Sequence, residues 1–284
     1  MSDRTALVLG GGGLAGIAWE LGMLVGLQEA GSGVGDAELV VGTSAGSVVG
    51  TLVAAGVDLE DAYAAQLAET ASEKSVEVDL EQLMTSAARA IAGTRDKQQR
   101  LAAVGRLALD ASTVPEAERL AIITSRLPSS AWPERPLRLT AVDTASGERV
   151  VFDRDGHVRL IEAVASSCAV PGVWPPVTVG DRRYMDGGIY SILNADLAAG
   201  AERVLVLAPM AGQEHNPFGT TIAEEDAQLR EAGASEVLVI SADEESTAAF
   251  GSNPLDPASR APAARAGRRQ AADCVDQVRG LWRR

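Results

Sequence analysis

The sequence predicts an α/β fold built on a mostly parallel β-sheet. Short apolar runs, typical of buried strands, alternate with longer segments whose apolar residues recur at helical spacing. Strands separated by helices in this way run parallel and are joined by right-handed crossovers. Hydrophobic residues make up 46% of the 284 positions, which is enough to bury a sizeable core without disulfide bonds.

The individual elements follow this alternation along the chain. The first 56 residues predict a strand at 5–9, four glycines, a helix at 14–30, a strand at 38–41 and a helix at 45–55. The later segments predict strands at 137–142, 149–152, 203–207 and 236–240, helices at 160–169, 222–231 and 263–281, a hairpin around Asp181, and a Pro- and Ser-rich loop at 252–262.

Residues 58–126 differ from this pattern. They are rich in Ala, Glu, Leu, Gln and Arg and contain few strand formers, which predicts several amphipathic helices with breaks near Gly93 and Pro115. No shift in composition marks a linker, so we interpret the segment as a helical insertion or flank on a single domain, residues 1–284. Residues 5–210 are expected to be the motif-bearing core, and residues 241–284 a loop and a terminal helix.

Charge and cysteine content bear on partners and compartment. The 25 basic and 39 acidic side chains give a formal net charge of −14, which argues against nucleic acid as the main partner and against simple electrostatic docking on anionic membranes. Cys168 and Cys274 form neither a disulfide framework nor a zinc site. The N-terminus has no signal-peptide pattern, and its apolar run is too short to span a bilayer. We expect a cytoplasmic protein with no more than transient peripheral membrane contact.

The stretch Gly42-Thr43-Ser44-Ala45-Gly46 lies between a predicted strand and a predicted helix. Such a sharp turn strains its central residue and crowds its neighbours, and glycines two positions to either side relieve the crowding. The hydroxyl is then held at the carboxyl edge of the sheet and at a helix N-terminus, where developing negative charge is favoured. We interpret Ser44 as a candidate nucleophile, the alternative being that it only caps the helix.

A serine nucleophile needs a base, and histidine is the usual one. His157 falls in a predicted hairpin turn between two strands, and His215 falls in a loop after the strand at 203–207. An α/β-hydrolase histidine lies in such a loop, and the chain order Ser44, Asp186, His215 matches that fold. This triad is therefore one alternative.

A carboxylate that acts without histidine is the other alternative. Asp186 stands at a predicted strand end, and Gly187 and Gly188 allow a tight turn that leaves space beside the carboxylate. An ordinary Asp-Gly turn would have the same sequence, so this motif alone does not identify a catalytic aspartate.

The glycine run at residues 10–13 also fits a dinucleotide-binding loop. That motif needs an acidic residue at the end of the second strand, whereas Asp36 and Glu38 lie before it or at its start. No loop of the EF-hand type occurs either. We expect no nucleotide, no other cofactor and no metal ion.

Together these motifs resemble the patatin-like phospholipase family of lipid acyl hydrolases. The matching blocks occur in the family's order: a G-x-G-x-x-G loop at 11–16, the serine elbow at 42–46, a Ser- and Pro-containing block at 166–176, D-G-G at 186–188, and the segment that begins at Asn194. The resemblance covers most of the chain and is weakest over residues 58–126.

The resemblance implies a three-layer α/β/α sandwich and a Ser-Asp dyad without histidine. Ser44 would attack the acyl carbonyl of a phospholipid, lysophospholipid or neutral lipid, and Asp186 would take its proton. The backbone of Gly11, Gly12 and Gly13 would form the oxyanion hole. The glycines that would support these motifs are Gly16, Gly42, Gly46, Gly187 and Gly188.

The loop departs from the family pattern at Ala15, where Arg or Lys is usual. A cation there would add positive potential near the oxyanion, and Arg182 or Arg183 is an alternative source because both lie close to Asp186 in sequence. A non-catalytic lipid-binding regulator on the same fold is a further hypothesis. Acyl length, head group, ester or thioester preference, a lid formed by residues 58–126, and oligomeric state are not predicted by the sequence.

Overall fold

The structure is a computed structural model that describes residues 4–68, 80–210 and 220–282. Its centre is a mixed β-sheet. The strands of the described chain are β1 (Thr5–Leu9), β2 (Leu39–Gly42), β3 (Leu137–Asp143), β4 (Arg149–Phe152), β5 (Val177–Val179), β6 (Arg182–Asp186), β7 (Arg203–Ala208) and β8 (Glu236–Ser241). They lie in the order β5-β6-β3-β2-β1-β7-β8, and β4 pairs with β3. The pairings from β3 to β8 in this order are parallel, and β4, β5 and β6 pair antiparallel.

Helices cover both faces of this sheet, which confirms the three-layer architecture. They are α1 (Gly13–Glu29), α2 (Ala45–Ala55), α3 (Leu59–Leu67), α4 (Leu80–Ile91), α5 (Lys97–Asp110), α6 (Glu116–Arg126), α7 (Leu160–Ser167), α8 (Ile222–Glu231), α9 (Glu244–Phe250) and α10 (Arg260–Trp282). None of the helices in the described residues is both long enough and apolar enough to cross a membrane.

The core forms because strand side chains alternate in direction. In β1, Leu7 and Leu9 pack in a buried cluster with side chains of α1, α2, α7 and α10. Ala6 and Val8 point to the other face and pack in a cluster with Leu229 of α8. Because β1 is buried on both faces, its sequence is an unbroken apolar run rather than an alternating one.

The predicted helical character of residues 58–126 is confirmed for the part that the structure describes. The break near Gly93 separates α4 from α5, and Pro115 directly precedes α6. Apolar side chains of α5, among them Leu101 and Val104, pack against Val142 of β3. The flank therefore rests on the sheet beside the strands that carry the site.

Two local predictions are wrong. The segment after β4 does not form a hairpin between two strands, since α7 begins at Leu160, and His157 is exposed in the turn before it. The predicted loop at 252–262 ends earlier, because α10 begins at Arg260 and Pro262 lies in its first turn, where the missing N–H of proline costs no intrahelical hydrogen bond.

Candidate active site

Ser44 and Asp186 are brought together by strand register. β2 pairs with β3 as far as Gly42 opposite Leu139, and β6 pairs with β3 from Asp186 opposite Ala141. The ends of β2 and β6 therefore lie two residues apart along β3, although 142 residues separate Ser44 from Asp186. The Ser44 hydroxyl donates a hydrogen bond of 2.7 Å to Asp186 Oδ2.

Ser44 occupies a strained turn, as the elbow motif predicts. Its backbone has φ 52° and ψ −113°, a conformation that costs free energy for any residue with a Cβ. The turn requires small neighbours, because a Cβ on Gly46 would overlap the carbonyl oxygen of Leu9 and a Cβ on Gly42 would overlap that of Gly46. Ser167 Oγ accepts a hydrogen bond of 2.9 Å from the Ser44 N–H and so holds the strained residue in place.

The Asp186 carboxyl is buried and fully engaged. It is 3% exposed, and its Oδ1 accepts a 2.7 Å hydrogen bond from the N–H of Gly188. Burial raises the pKa of the Asp186 carboxyl to about 7, against the opposing effects of the hydrogen bonds from Ser44 and Gly188 and of the positive charge of Arg119. A carboxylate whose pKa lies near neutrality is matched to proton transfer at neutral pH.

Arg119 of α6 is a cation of the site that the sequence did not indicate. It is 3% exposed, and its guanidinium carbon lies 3.9 Å from the centre of the Trp174 ring. Its charge lowers the pKa of both Asp186 and Cys168. The helical flank gave no local signal for this role, since it depends on the packing of α6 against residues far along the chain.

The two arginines proposed as substitutes for a loop cation face other partners. Arg182 pairs with Asp143 at 3.1 Å, and Arg183 donates a 2.7 Å hydrogen bond to the carbonyl oxygen of Pro176. Arg119, unlike these two arginines, lines the pocket of Ser44, and its charge lowers the pKa of Asp186.

The glycine loop presents backbone N–H groups beside Ser44. The N–H of Gly11 donates to the Ile192 carbonyl at 2.8 Å, so this predicted oxyanion donor is already engaged. The backbone hydrogen bonds of the described residues give no acceptor to the N–H groups of Gly12 and Gly13. The same holds for Ala45, the first residue of α2, which lines the Ser44 pocket. Its position directly after the nucleophile is a sequence signal for such a donor.

A narrow pocket of about 30 Å³ leads to Ser44 and has room for roughly two water molecules. Its walls are mostly apolar and also carry two arginines and a thiol; they include Leu14, Ile17, Val170, Trp174, Leu255, Arg119, Arg126 and Cys168. Burial raises the pKa of the Cys168 thiol, whose Sγ lies 3.2 Å from the Ser44 carbonyl oxygen. We therefore regard Cys168 as a packing residue of the pocket.

A buried polar network joins the elbow to the aspartate loop. Asn194 Nδ2 lies 2.7 Å from the Ser191 carbonyl oxygen, 3.1 Å from Thr43 Oγ1, 3.2 Å from Thr140 Oγ1 and 3.4 Å from the Gly187 carbonyl oxygen. These groups flank Ser44 on one side and Asp186 on the other, so the network fixes the distance between the two side chains.

The histidines do not contribute to the described geometry. His157 is exposed in its turn, and His215 lies outside the described residues. The direct hydrogen bond between Ser44 and Asp186 leaves no space for an imidazole between them. Within the described ranges, no group of three or more His, Cys, Asp or Glu side chains could hold a metal ion.

Comparison with known proteins gives a family match and distant structural similarities. The family model described as patatin-like phospholipase matches residues 7–199. The structure is similar to VipD from Legionella pneumophila, at 15% identity and a TM-score of 0.48 over 97% of this chain and 67% of that one. It is also similar to the type III effector protein ExoU, at 16% identity and a TM-score of 0.44 over 98% of this chain and 54% of that one.

A further similarity is to ExoU in its complex with SpcU from the type III secretion system of Pseudomonas aeruginosa, at 17% identity and a TM-score of 0.46. It covers 99% of this chain and 53% of that one. The chain thus spans about half the length of ExoU. No curated protein sequence matches the chain.

Proposed function

The chain belongs to the patatin-like phospholipase family and is an ester-bond hydrolase, and from this premise we propose that it cleaves fatty-acyl esters of lipids through a dyad of Ser44 and Asp186. One observation carries the dyad: the Ser44 hydroxyl donates directly to a buried carboxylate at 2.7 Å. The raised pKa of Asp186, about 7, supports its role as the base.

In the proposed acylation step, Asp186 accepts the Ser44 proton while Oγ bonds to the acyl carbonyl carbon. The carbonyl oxygen becomes an oxyanion, and the N–H groups of Gly12, Gly13 and Ala45 donate to it at the starts of two helices. Asp186 then returns the proton to the departing alcohol oxygen. In deacylation, Asp186 takes a proton from water, the hydroxide attacks the acyl-serine, and the proton returns to Ser44 as the fatty acid leaves.

The pocket walls support a lipid ester as the substrate. Apolar side chains such as Leu14, Ile17 and Val170 surround the approach to Ser44. Arg119 and Arg126 lie in the same walls and favour an anionic group near the ester, as in phospholipids and lysophospholipids. Neutral lipids are the second candidate substrate class, because they would need only the apolar walls and not the arginines.

A hydrolysis panel tests this proposal. Phospholipid, lysophospholipid, neutral glyceride and thioester substrates are assayed with the wild-type protein and with Ser44→Ala, Asp186→Asn, His157→Ala and His215→Ala. We expect the first two variants to lose nearly all turnover and the histidine variants to keep most of it. A loss in His215→Ala as large as that in Ser44→Ala would replace the dyad by the Ser44-Asp186-His215 triad.

Two further measurements separate the remaining alternatives. A fluorophosphonate probe should label Ser44 in the folded protein, whereas a non-catalytic lipid-binding regulator would not react.

Activity should also be unchanged by a chelator. A strong loss with EDTA that calcium restores would contradict a metal-independent mechanism.

A further inference from the structure

We propose that the acyl chain of the substrate lies in a groove that adjoins the Ser44 pocket, runs along α2 and is bounded by α1, α2, α3 and the end of α6. The inference rests on the proposed function and adds to it the place and the length of the acyl chain. The groove has a volume of about 440 Å³, within the usual range of ligand sites. Its lining is more apolar than polar: the apolar side chains include Leu21, Val48, Leu52, Val57 and Leu127, and the charged ones are Asp58, Asp61, Arg126 and Arg260.

The groove adjoins the pocket that holds the nucleophile. Leu14, Ile17 and Arg126 line both spaces. The pocket itself, at about 30 Å³, has room for the ester group but not for an alkyl chain. A chain whose carbonyl carbon lies at Ser44 must therefore leave the pocket, and we place its path beside these three side chains, from where it enters the neighbouring groove.

The helix α2 sets the length of chain that the groove accommodates. Val48 and Leu52 lie one and two turns beyond Ser44, and both line the groove. At 1.5 Å per residue, the distance from Ser44 to the level of Leu52 is about 12 Å. An extended chain advances about 1.2 Å per bond, so about ten carbons fill this stretch. Asp58 and Asp61, which follow α2 in the chain, make part of the lining polar, and we expect additional methylene groups to gain little beside them.

The first experiment measures how fast alkyl fluorophosphonates of increasing chain length, from butyl to hexadecyl, label Ser44 of the full chain. Intact-mass spectrometry gives the labelling rates. We expect the rate to rise by up to about fourfold per methylene, equivalent to about 0.8 kcal/mol, and to level off near ten carbons. A rate that does not depend on chain length would overturn the groove assignment while leaving Ser44 a nucleophile.

Variants of α3 test the location of the chain. Ala62 and Ala65 line the groove, and Ala64 lies exposed on the same helix outside it, so Ala62→Trp and Ala65→Trp are compared with the matched control Ala64→Trp. In the lining variants the ratio of dodecyl to butyl labelling rates should fall by about tenfold, the equivalent of burying about two fewer methylenes. The control should keep the wild-type ratio.

Because Ala65 is exposed at the rim of the groove, its variant tests the proposal even if Ala62→Trp fails to fold. Unchanged ratios in both lining variants would place the chain elsewhere. Absence of labelling with every probe would instead overturn the proposed function and, with it, this inference.

Discussion

The buried carboxyl of Asp186 lowers the stability of the folded protein at the pH where it would act as a base. Burial raises its pKa from the ordinary value of 3.8 to about 7. Between these two values the folded protein binds a proton that the unfolded chain releases, so the free energy of unfolding falls as the pH rises through this window. At about 1.4 kcal/mol per pKa unit, the loss approaches roughly 4 kcal/mol above pH 7.

We therefore expect Asp186→Asn to be more stable than the wild-type protein at pH 8, by as much as a few kcal/mol, because asparagine removes the buried charge. The difference should shrink towards pH 4, where the carboxyl is protonated in the folded protein and close to half-protonated in the unfolded chain, whose pKa is near 3.8. Denaturant unfolding at the two pH values measures it. If the free energy of unfolding of the variant, relative to that of the wild type, were lower at pH 8 than at pH 4, the fold would stabilise the ionised carboxylate instead of destabilising it.

Arg119 tunes the same carboxyl from α6. Its positive charge lowers the pKa of Asp186, so its removal should raise that pKa further. Since the base must be ionised, the acidic limb of the kcat/KM profile should move to higher pH in Arg119→Met. The profile is measured on a monomeric ester from about pH 5 to 9. Arg119→Lys, which keeps the charge, should move the limb less, and an acidic limb that stays in place in Arg119→Met would exclude this electrostatic role.

At the element scale, the long helix α10 positions the glycine loop through its packing on α1. The two helices approach so closely at Gly267 that a Cβ on this residue would overlap the carbonyl oxygen of Trp19. The Trp19 indole donates a 3.0 Å hydrogen bond to Gln270 Oε1 at the same crossing. In the segment before α10, the Pro254 carbonyl oxygen accepts a 2.9 Å hydrogen bond from the N–H of Ala15, in the first turn of α1 directly after the glycine loop. The site therefore depends on residues beyond the family match, which ends at residue 199.

This packing predicts different outcomes for two glycines of α10. Gly267→Ala should destabilise the protein by about 1–3 kcal/mol, since the helices must separate to admit the methyl group. Gly280 has open space around it, so Gly280→Ala should be neutral or stabilising by up to about 1 kcal/mol because alanine favours the helix. Thermal or denaturant unfolding compares the two variants. Equal effects would mean that the α1–α10 contact is looser than the structure indicates.

The elements that could be predicted from sequence are those whose signals are local. The buried strand β1 and the helix α2 match their predicted bounds. Their signals, an apolar run for β1 and the G-x-S-x-G turn before α2, depend only on residues that are adjacent in the sequence. The short helix α9 lacks apolar periodicity, and its only local signal is Asp243, which caps it by accepting from the Ser246 N–H at 2.8 Å. Capping also explains why the predicted hairpin at His157 was wrong. Glu162 accepts a hydrogen bond from the Arg159 N–H, and the helix α7 begins there in place of a second strand.

The site could be predicted only in part for the same reason. Ser44 and Asp186 stand in short motifs, so their types and spacing indicated a role before their positions were known. Arg119 and Asn194 act through contacts with residues more than 50 positions away. Arg119 lies in no motif, and Asn194 begins a block of the family resemblance that did not indicate its contacts. Gly11 illustrates the converse: its motif predicted an oxyanion donor, but a tertiary hydrogen bond to Ile192 occupies its N–H.

At the scale of the whole molecule, the net charge of −14 opposes the local cations of the pocket. In the proposed function Arg119 and Arg126 favour an anionic group at the site, but a protein of this charge is repelled from an anionic surface over the Debye length, about 10 Å at 0.1 M salt. The protein should therefore distinguish a single anionic lipid molecule from an anionic bilayer. This distinction follows from the different ranges of the two interactions.

We expect hydrolysis of anionic vesicles to rise as salt increases from low ionic strength to about 0.15 M, because screening weakens the repulsion between the acidic protein and the surface. Hydrolysis of zwitterionic vesicles and of a monomeric ester, assayed in parallel, should change little, since neither presents a charged surface. Rates on the three substrates across a salt series, with vesicle sedimentation as a direct measure of binding, test this expectation. A rate on anionic vesicles that falls with salt would instead indicate a basic docking face whose attraction exceeds the repulsion from the net charge. The arginines of α10, among them Arg265 and Arg268, would be the first candidates for that face.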